Sequence, residues 1–122
     1  MIIIGDEHIP YETIEKISCV EDIKNTQPNA TVIFDFDIEI LKYTQANDIK
    51  SAVKVNNIKD LIYSAELNAY YIIPTNDILE QAQSTADNYM FDSRILAVIE
   101  SSDEVEALAI KEIDGVVFKS LI

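Results

Sequence analysis

The sequence of 122 residues contains very little glycine. Gly5 and Gly115 are the only two, whereas average usage of about 7% would supply roughly eight. Dinucleotide-binding folds and P-loops place glycine where the backbone must approach phosphate closely. Neither G-x-G-x-x-G nor G-x-x-x-x-G-K-S/T occurs, so nucleotide binding through these two motifs is excluded.

Positive charge is also scarce. Nine Lys and Arg residues stand against 22 Asp and Glu residues, which gives a net charge of −13, and the nine cations are scattered along the chain. A nucleic-acid backbone or an anionic membrane surface repels such a protein. We therefore expect neither a nucleic-acid nor a membrane partner, and we interpret the charge as a means of solubility.

Cysteine and long apolar runs are nearly absent. Cys19 stands alone, which leaves no internal disulfide and no Cys-based zinc site. The longest apolar runs, such as 2–4 and 95–99, are too short to span a bilayer. The amino-terminal residues lack the features of a secretory signal. We predict a cytoplasmic protein with a single α/β domain over residues 1–122.

What the sequence does contain is a series of short, nearly continuous apolar runs rich in β-branched residues. Such runs are typical of strands buried on both faces, as in parallel sheets. Three segments between them have apolar residues at helical spacing, at 58–65, 78–89 and 105–113. The predicted strands are 2–4, 31–36, 51–55, 69–74, 94–99 and 115–118.

Capping residues mark where the helices begin. Ser101 to Glu104 and Ser18 to Glu21 both have the pattern of a capping box. The segment 11–17 fits either a helix opened by Pro10 or a short strand that ends before Ser18. Other residues suited to N-capping are Asn56 or Asn57 and Thr75 or Asn76.

These elements predict a three-layer α/β sandwich around a mainly parallel sheet of five or six strands, flavodoxin-like in outline. The alternative is a half-barrel of βα units that closes by dimerising. The two differ in strand order, because the sandwich places strands on both sides of an early one and the half-barrel arranges them sequentially.

Acidic residues follow two of the predicted strands. Asp6 and Glu7 come after the first, and Asp35 and Asp37 come at the end of the second. Ligands of open parallel sheets bind at the carboxyl ends of the strands, and Mg²⁺ prefers carboxylates and water. These four residues are therefore the candidate ligands of a magnesium ion. Because His8 is the only histidine and no nucleophile–base pair follows from the spacing, we predict no catalytic residue and no other cofactor-binding residue.

Part of the chain resembles the receiver domains of response regulators. Ile2-Ile-Ile-Gly-Asp-Glu7 is similar to their first strand with its acidic pair. Residues 94–102 resemble their fourth strand, which ends in Ser or Thr, and residues 106–120 resemble their last helix and strand with Lys119. The resemblance implies a receiver-like fold. A receiver also needs a phospho-accepting Asp after its third strand, and Tyr70-Tyr-Ile-Ile-Pro-Thr75 has none, so we do not expect phosphotransfer.

A second, local resemblance concerns Thr31-Val-Ile-Phe-Asp-Phe-Asp37. It looks like the first motif of haloacid-dehalogenase-type phosphatases, in which the first Asp is the nucleophile and the second an acid/base, next to Mg²⁺. That family continues with Gly and then Thr or Val, whereas this chain has Ile38 and Glu39. The implied alternative is a Mg-dependent phosphoryl-transfer or phosphate-binding domain.

The aromatic residues favour a different function. Tyr70 and Tyr71 lie in one predicted strand, and Tyr89, Met90 and Phe91 end the longest predicted helix. Tyr, Phe and Met are enriched where an interface takes the place of a core. We therefore predict a non-catalytic binding or regulatory module that acts through a protein contact, either with another protein or as a homodimer.

Overall fold

A computed structural model describes residues 1–122 as one sheet of seven strands with four α-helices and short 3₁₀ turns. The strands are β1 Ile2–Ile4, β2 Ile14–Lys16, β3 Thr31–Asp35, β4 Ser51–Val55, β5 Tyr71–Pro74, β6 Arg94–Ile99 and β7 Gly115–Phe118. The helices are α1 Ile38–Ala46, α2 Ile58–Glu66, α3 Leu79–Asn88 and α4 Val105–Ile110.

All seven strands are parallel, and their order is β1-β7-β6-β5-β4-β3-β2. The predicted α/β class and parallel sheet are thus confirmed, and the repeated βα units are flavodoxin-like. The strand count is seven rather than five or six, because β2 forms within the segment 11–17 that the sequence left open. The sequential order from β2 to β7 is that of the half-barrel alternative, and the sheet curls accordingly.

The two faces of the curled sheet are buried by different means. The outer face packs against α1, α2, α3 and α4, and a core cluster of 19 buried residues lies between them. The inner face carries a cluster of seven buried residues with no helix over it. Partly buried apolar residues pack against this cluster; they come from the two edge strands, from β6 and from the last residues of the chain, and they are Ile2, Ile14, Val98, Leu121 and Ile122.

Residues 5–13 connect the two edges of the sheet. Because β1 and β2 are parallel and lie at opposite edges, this crossing segment runs from the carboxyl end of the strands to the amino end. Glu12 fixes it there, since its carboxylate accepts hydrogen bonds from the Tyr71 hydroxyl at 2.9 Å and the Thr31 hydroxyl at 3.1 Å and pairs with Lys50. Burial raises the pKa of Glu12, but the hydrogen bonds and charge of its partners outweigh it and hold the pKa below its ordinary value of 4.5.

Both glycines serve the contact between β1 and β7. A Cβ on Gly115 would lie 2.6 Å from the Cβ of Ile2 and 2.7 Å from the Ile2 carbonyl oxygen. Gly5 follows β1 with φ +104° and packs against the Phe118 side chain. Only glycine tolerates so close a contact or such a positive φ without strain. The chain therefore has its two glycines where its first strand meets its last.

The four helices all end in the same backbone turn. The residue after the C-cap has a left-handed φ in each, and these residues are Asp48, Asn68, Met90 and Glu112. The next residue then donates its N–H to the carbonyl five positions earlier, as Phe91 does to Ala86 at 2.9 Å. This is the Schellman motif, which usually places glycine at the left-handed position. Its four glycine-free copies account for much of the missing glycine.

The helix starts agree with the sequence at two positions and differ at two, one of which is Thr75, whose side chain makes no capping hydrogen bond. Asn57 accepts the N–H of Asp60, and Ser101 forms the predicted capping box with Glu104. The capping box predicted at Ser18 is wrong, because Ser18 instead donates its N–H and hydroxyl to Asp22. Helix α1 was not predicted at all.

None of the helices is long and apolar enough to cross a membrane.

Candidate functional site

The first pair of predicted metal ligands lies in the crossing segment. The carboxylate of Asp6 accepts the backbone N–H of His8 at 2.7 Å, which forms a local turn. Glu7 and His8 are both exposed, and their side chains are 3.2 Å apart. These contacts remain within three consecutive residues, so they order the turn after β1 without reaching another strand end.

The second pair divides between two tasks. Asp35 ends β3 and forms an ion pair with Lys54 at 3.3 Å. Asp37 is the N-cap of α1, and its carboxylate accepts the N–H of Ile40 at 3.1 Å. The helix therefore begins directly after the Asp-x-Asp sequence, and one of the two carboxylates that resemble a phosphatase motif is engaged in capping.

The structure does not gather the four candidate ligands into one site. No group of three or more His, Cys, Asp or Glu side chains lies close enough together to hold a metal ion. Asp6 and Glu7 line one depression of the surface and Asp35 lines another. Of the four residues, only Asp35 lies in a cleft formed by several strands.

That cleft, called here the carboxyl-end cleft, opens above the inner face of the sheet at the ends of β3, β4, β5 and β6, with a volume of about 610 Å³. Apolar side chains line it, among them Phe36, Ile73 and Val98. Its polar residues are Asp35, Lys54, Asn56, Asp60 and Thr75. A concave site with an apolar lining and a few polar groups is the usual form of a small-molecule site.

A second polar pair flanks this cleft. Lys119, which resembles the lysine of receiver domains, lies 3.7 Å from Glu100 at the end of β6. Ser101, next in the chain, uses its hydroxyl as a helix cap. The residues of the receiver resemblance therefore meet at the same end of the sheet, but each already has a partner within the chain.

The opposite end of the sheet carries an apolar surface, called here the amino-end patch and formed by Tyr70, Tyr89, Met90 and Phe91. These residues line a shallow groove of about 460 Å³ between the α2–β5 and α3–β6 turns. The Met90 side chain is 85% exposed and Tyr89 is 71% exposed. The rings of Tyr89 and Phe91 stack at 6.0 Å. Tyr71, predicted with this group, instead packs on the inner face.

Charged groups of both signs border the amino-end patch. Glu66 and Asp92 line its groove. Lys50 lies over the Tyr70 ring at 3.9 Å. Arg94, the only arginine of the chain, is exposed, donates its backbone N–H to the Tyr70 carbonyl at 3.0 Å and forms no ion pair. Arg94 shares the absence of an ion pair with four lysines and differs from them in its position at the border of the patch.

Cys19 lies outside both surfaces. The N–H of Asp22 favours its thiolate, but desolvation and the carboxylates of Glu21 and Asp22 oppose it and raise the pKa of the thiol. The carboxylates next to Cys19 therefore outweigh the effect of the N–H at the helix start, and the thiol is not activated.

Three features of these sites were not predicted from the sequence. Arg94 was predicted only as a strand residue. That it forms no ion pair can be recognised only when the positions of all the carboxylates are known. Met90 has a left-handed backbone because it occupies a Schellman turn. The similar spacing of the four turns along the chain is the signal that would have located this turn in the sequence. The contacts of Glu12 with Thr31, Lys50 and Tyr71 join residues that are far apart in the sequence.

The chain matches no protein-family model and no curated protein.

Proposed function

We propose that this protein is a non-catalytic interaction module that pairs with a second copy of itself through the amino-end patch. The observation that carries the proposal is Met90, an apolar side chain that is 85% exposed in a left-handed turn. The other three turns of this kind use Asp48, Asn68 and Glu112. A left-handed conformation disfavours ordinary side chains, so folding alone gives no reason for methionine here.

The composition of the patch supports a protein contact. Tyr and Arg are the residues most enriched among those that dominate binding energy, and Met and Phe are enriched at interfaces. Tyr70, Tyr89, Met90 and Phe91 line the groove, and the backbone N–H of Arg94 donates to the Tyr70 carbonyl at 3.0 Å. Such a contiguous exposed apolar surface is stabilised when a partner covers it.

The charges around the patch favour a second copy as that partner. A twofold contact brings the same surface of both chains together. The unpaired Arg94 of one copy then meets the carboxylates of Glu66 and Asp92 at the groove of the other. Both signs are present in one surface, so the surface is complementary to itself, although the net charge of −13 opposes association at long range.

Sedimentation velocity over a range of protein concentrations tests this proposal. We expect a monomer–dimer equilibrium that strengthens from low to moderate salt, because salt screens the repulsion between the two acidic chains. Met90→Asn and Arg94→Gln should each weaken dimerisation by about tenfold or more. Asn tolerates the left-handed backbone, so Met90→Asn removes the side chain without straining the turn.

Ile110→Gln is the matched control. Ile110 is 77% exposed and does not line the groove, so this variant removes an equally exposed apolar side chain elsewhere and should dimerise normally. A chain that stays monomeric at all concentrations and both salt levels contradicts the proposal. Equal weakening by Met90→Asn and Ile110→Gln contradicts the assignment to this patch.

Two further points belong to the same proposal. The receiver resemblance of residues 94–120 supports a regulatory role rather than a catalytic one. A cytoplasmic location is supported by the single cysteine, since extracellular domains of this size commonly rely on paired cysteines.

A further inference from the structure

We infer that the carboxyl-end cleft is a binding site for a small zwitterion, a molecule with a carboxylate, an ammonium group and an apolar body, such as a branched or aromatic amino acid. The cleft lies at the opposite end of the sheet from the amino-end patch. The inference is therefore independent of the proposed dimer and stands or fails by itself.

The charges of the cleft select the ligand class. Lys54 is its only cation, and Asp35 and Asp60 are its carboxylates. A phosphate or other polyanion would meet one positive and two negative groups. The carboxylate of Asp60 is held by the Asn57 amide at 3.0 Å in the first turn of α2, so Asp35 and Lys54 are the pair open to exchange.

The Asp35–Lys54 pair has the geometry to receive both ends of a zwitterion. The two residues are register partners on neighbouring strands, and their charged atoms are 3.3 Å apart. The Lys54 side chain is 36% exposed and that of Asp35 is 88% exposed. When a zwitterion enters, its carboxylate replaces Asp35 at Lys54 and its ammonium group binds Asp35, so no charge is left unpaired.

The remaining lining matches the rest of such a ligand. Phe36, Ile73 and Val98 offer an apolar surface to the ligand body. The Thr75 hydroxyl is exposed and makes no capping hydrogen bond, and the side-chain N–H groups of Asn56 donate to no other residue. Both can donate to the ligand carboxylate beside Lys54. The volume of about 610 Å³ accommodates an amino acid.

The test is an NMR titration of ¹⁵N-labelled protein with L-leucine and with its two half-ligands, isoamylamine and isocaproate. We expect saturable shifts of the Asp35, Lys54 and Asn56 amide signals with leucine, and affinities at least about tenfold lower for each half-ligand. Absence of saturable shifts with leucine, or equal binding of isoamylamine, overturns the inference.

Variants assign the roles of the two charges. Lys54→Met should weaken leucine binding by about tenfold while isoamylamine binds as before, and Lys54→Arg should retain leucine binding. Lys59→Met is the matched control, because Lys59 lies on α2 outside the cleft, 5.6 Å from the Tyr63 ring. Unchanged leucine binding in a folded Lys54→Met protein, with its melting transition intact, overturns the assignment.

Discussion

At the amino end of the sheet, four helix-to-strand turns share one backbone geometry, whereas at the carboxyl end the strand-to-helix turns differ from one another. Helices α1 and α2 start directly at Asp37 and Asn57, while α3 and α4 are entered through 3₁₀ turns. Polar residues at the carboxyl end are explained by capping in several cases, so their presence alone says little about function. At the amino end the uniform geometry makes the single apolar occupant, Met90, informative.

We expect the two ends to differ also in how much they contribute to stability, and replacing Glu12 tests this difference most strongly. Glu12→Ala should lower the free energy of unfolding by about 2–3 kcal/mol, because it leaves the Tyr71 hydroxyl and Lys50 without their partner and releases the crossing segment. Asp35→Ala at the carboxyl end should change it by less than about 0.5 kcal/mol, since its ion pair is exposed. Chemical denaturation measures both, and equal losses would remove the contrast.

Lowering the pH should remove part of the stabilisation that Glu12 provides. The pKa of Glu12 lies below its ordinary value of 4.5 in the folded chain, so the folded state favours the ionised carboxylate. The stabilisation is complete above that value and is lost as the pH falls through the folded pKa. The difference in unfolding free energy between wild type and Glu12→Gln should therefore shrink below about pH 4.5. A constant difference across this range would show that the charge of Glu12 contributes nothing.

Glycine substitutions sharpen the comparison of the turns themselves. Glu112→Gly should raise the free energy of unfolding by about 0.5–1 kcal/mol, because Glu112 has φ +60° in an exposed left-handed position. Glu106→Gly makes the same chemical change inside α4 and should lower it by about 1 kcal/mol. Thermal or denaturant unfolding gives both signs. Destabilisation by Glu112→Gly would mean that its side chain stabilises the turn.

The smallest expected effect concerns magnesium. We expect the melting temperature to stay within about one degree when Mg²⁺ and a phosphate-mimicking fluoride are added, because Asp37 is engaged as a helix cap and Asp35 pairs with Lys54. A shift of several degrees that disappears in Asp35→Asn would instead support the phosphoryl-transfer alternative. Asp6→Asn serves as the control for the other acidic pair.

Most of the repeated strand–helix units could be predicted from the sequence, whereas strand β2 and helix α1 could not. Continuous apolar runs such as 51–55 and 94–99 identify buried parallel strands from local pattern alone. The strand β2 has only three residues, Ile14–Lys16, and two of them, Glu15 and Lys16, are charged. This pattern is too short and too polar to distinguish a strand from a helix. Helix α1 was missed because Asp37 was interpreted as a site residue rather than as its N-cap.

The candidate sites were predictable only in part. Tyr89 and Met90 were expected at a surface, and they are exposed. The pairing of Asp35 with Lys54 depends on strand register, which a sequence with two open fold alternatives does not determine. The four acidic candidates shared a sheet end in the prediction, but β7, β6, β5 and β4 lie between β1 and β3, and the carboxylate of Asp6 is engaged in a local turn.

The strand order has a consequence for how the chain folds. Every strand from β2 to β7 pairs with the strand next to it in sequence, so each pairing closes only a short loop. Strand β1 is different, because it is synthesised before all the others and its partner β7 is synthesised last. Its three isoleucines must therefore wait unpaired until Gly115 arrives opposite Ile2. The slowest step of folding, and the interval most open to aggregation, should be the docking of this first strand.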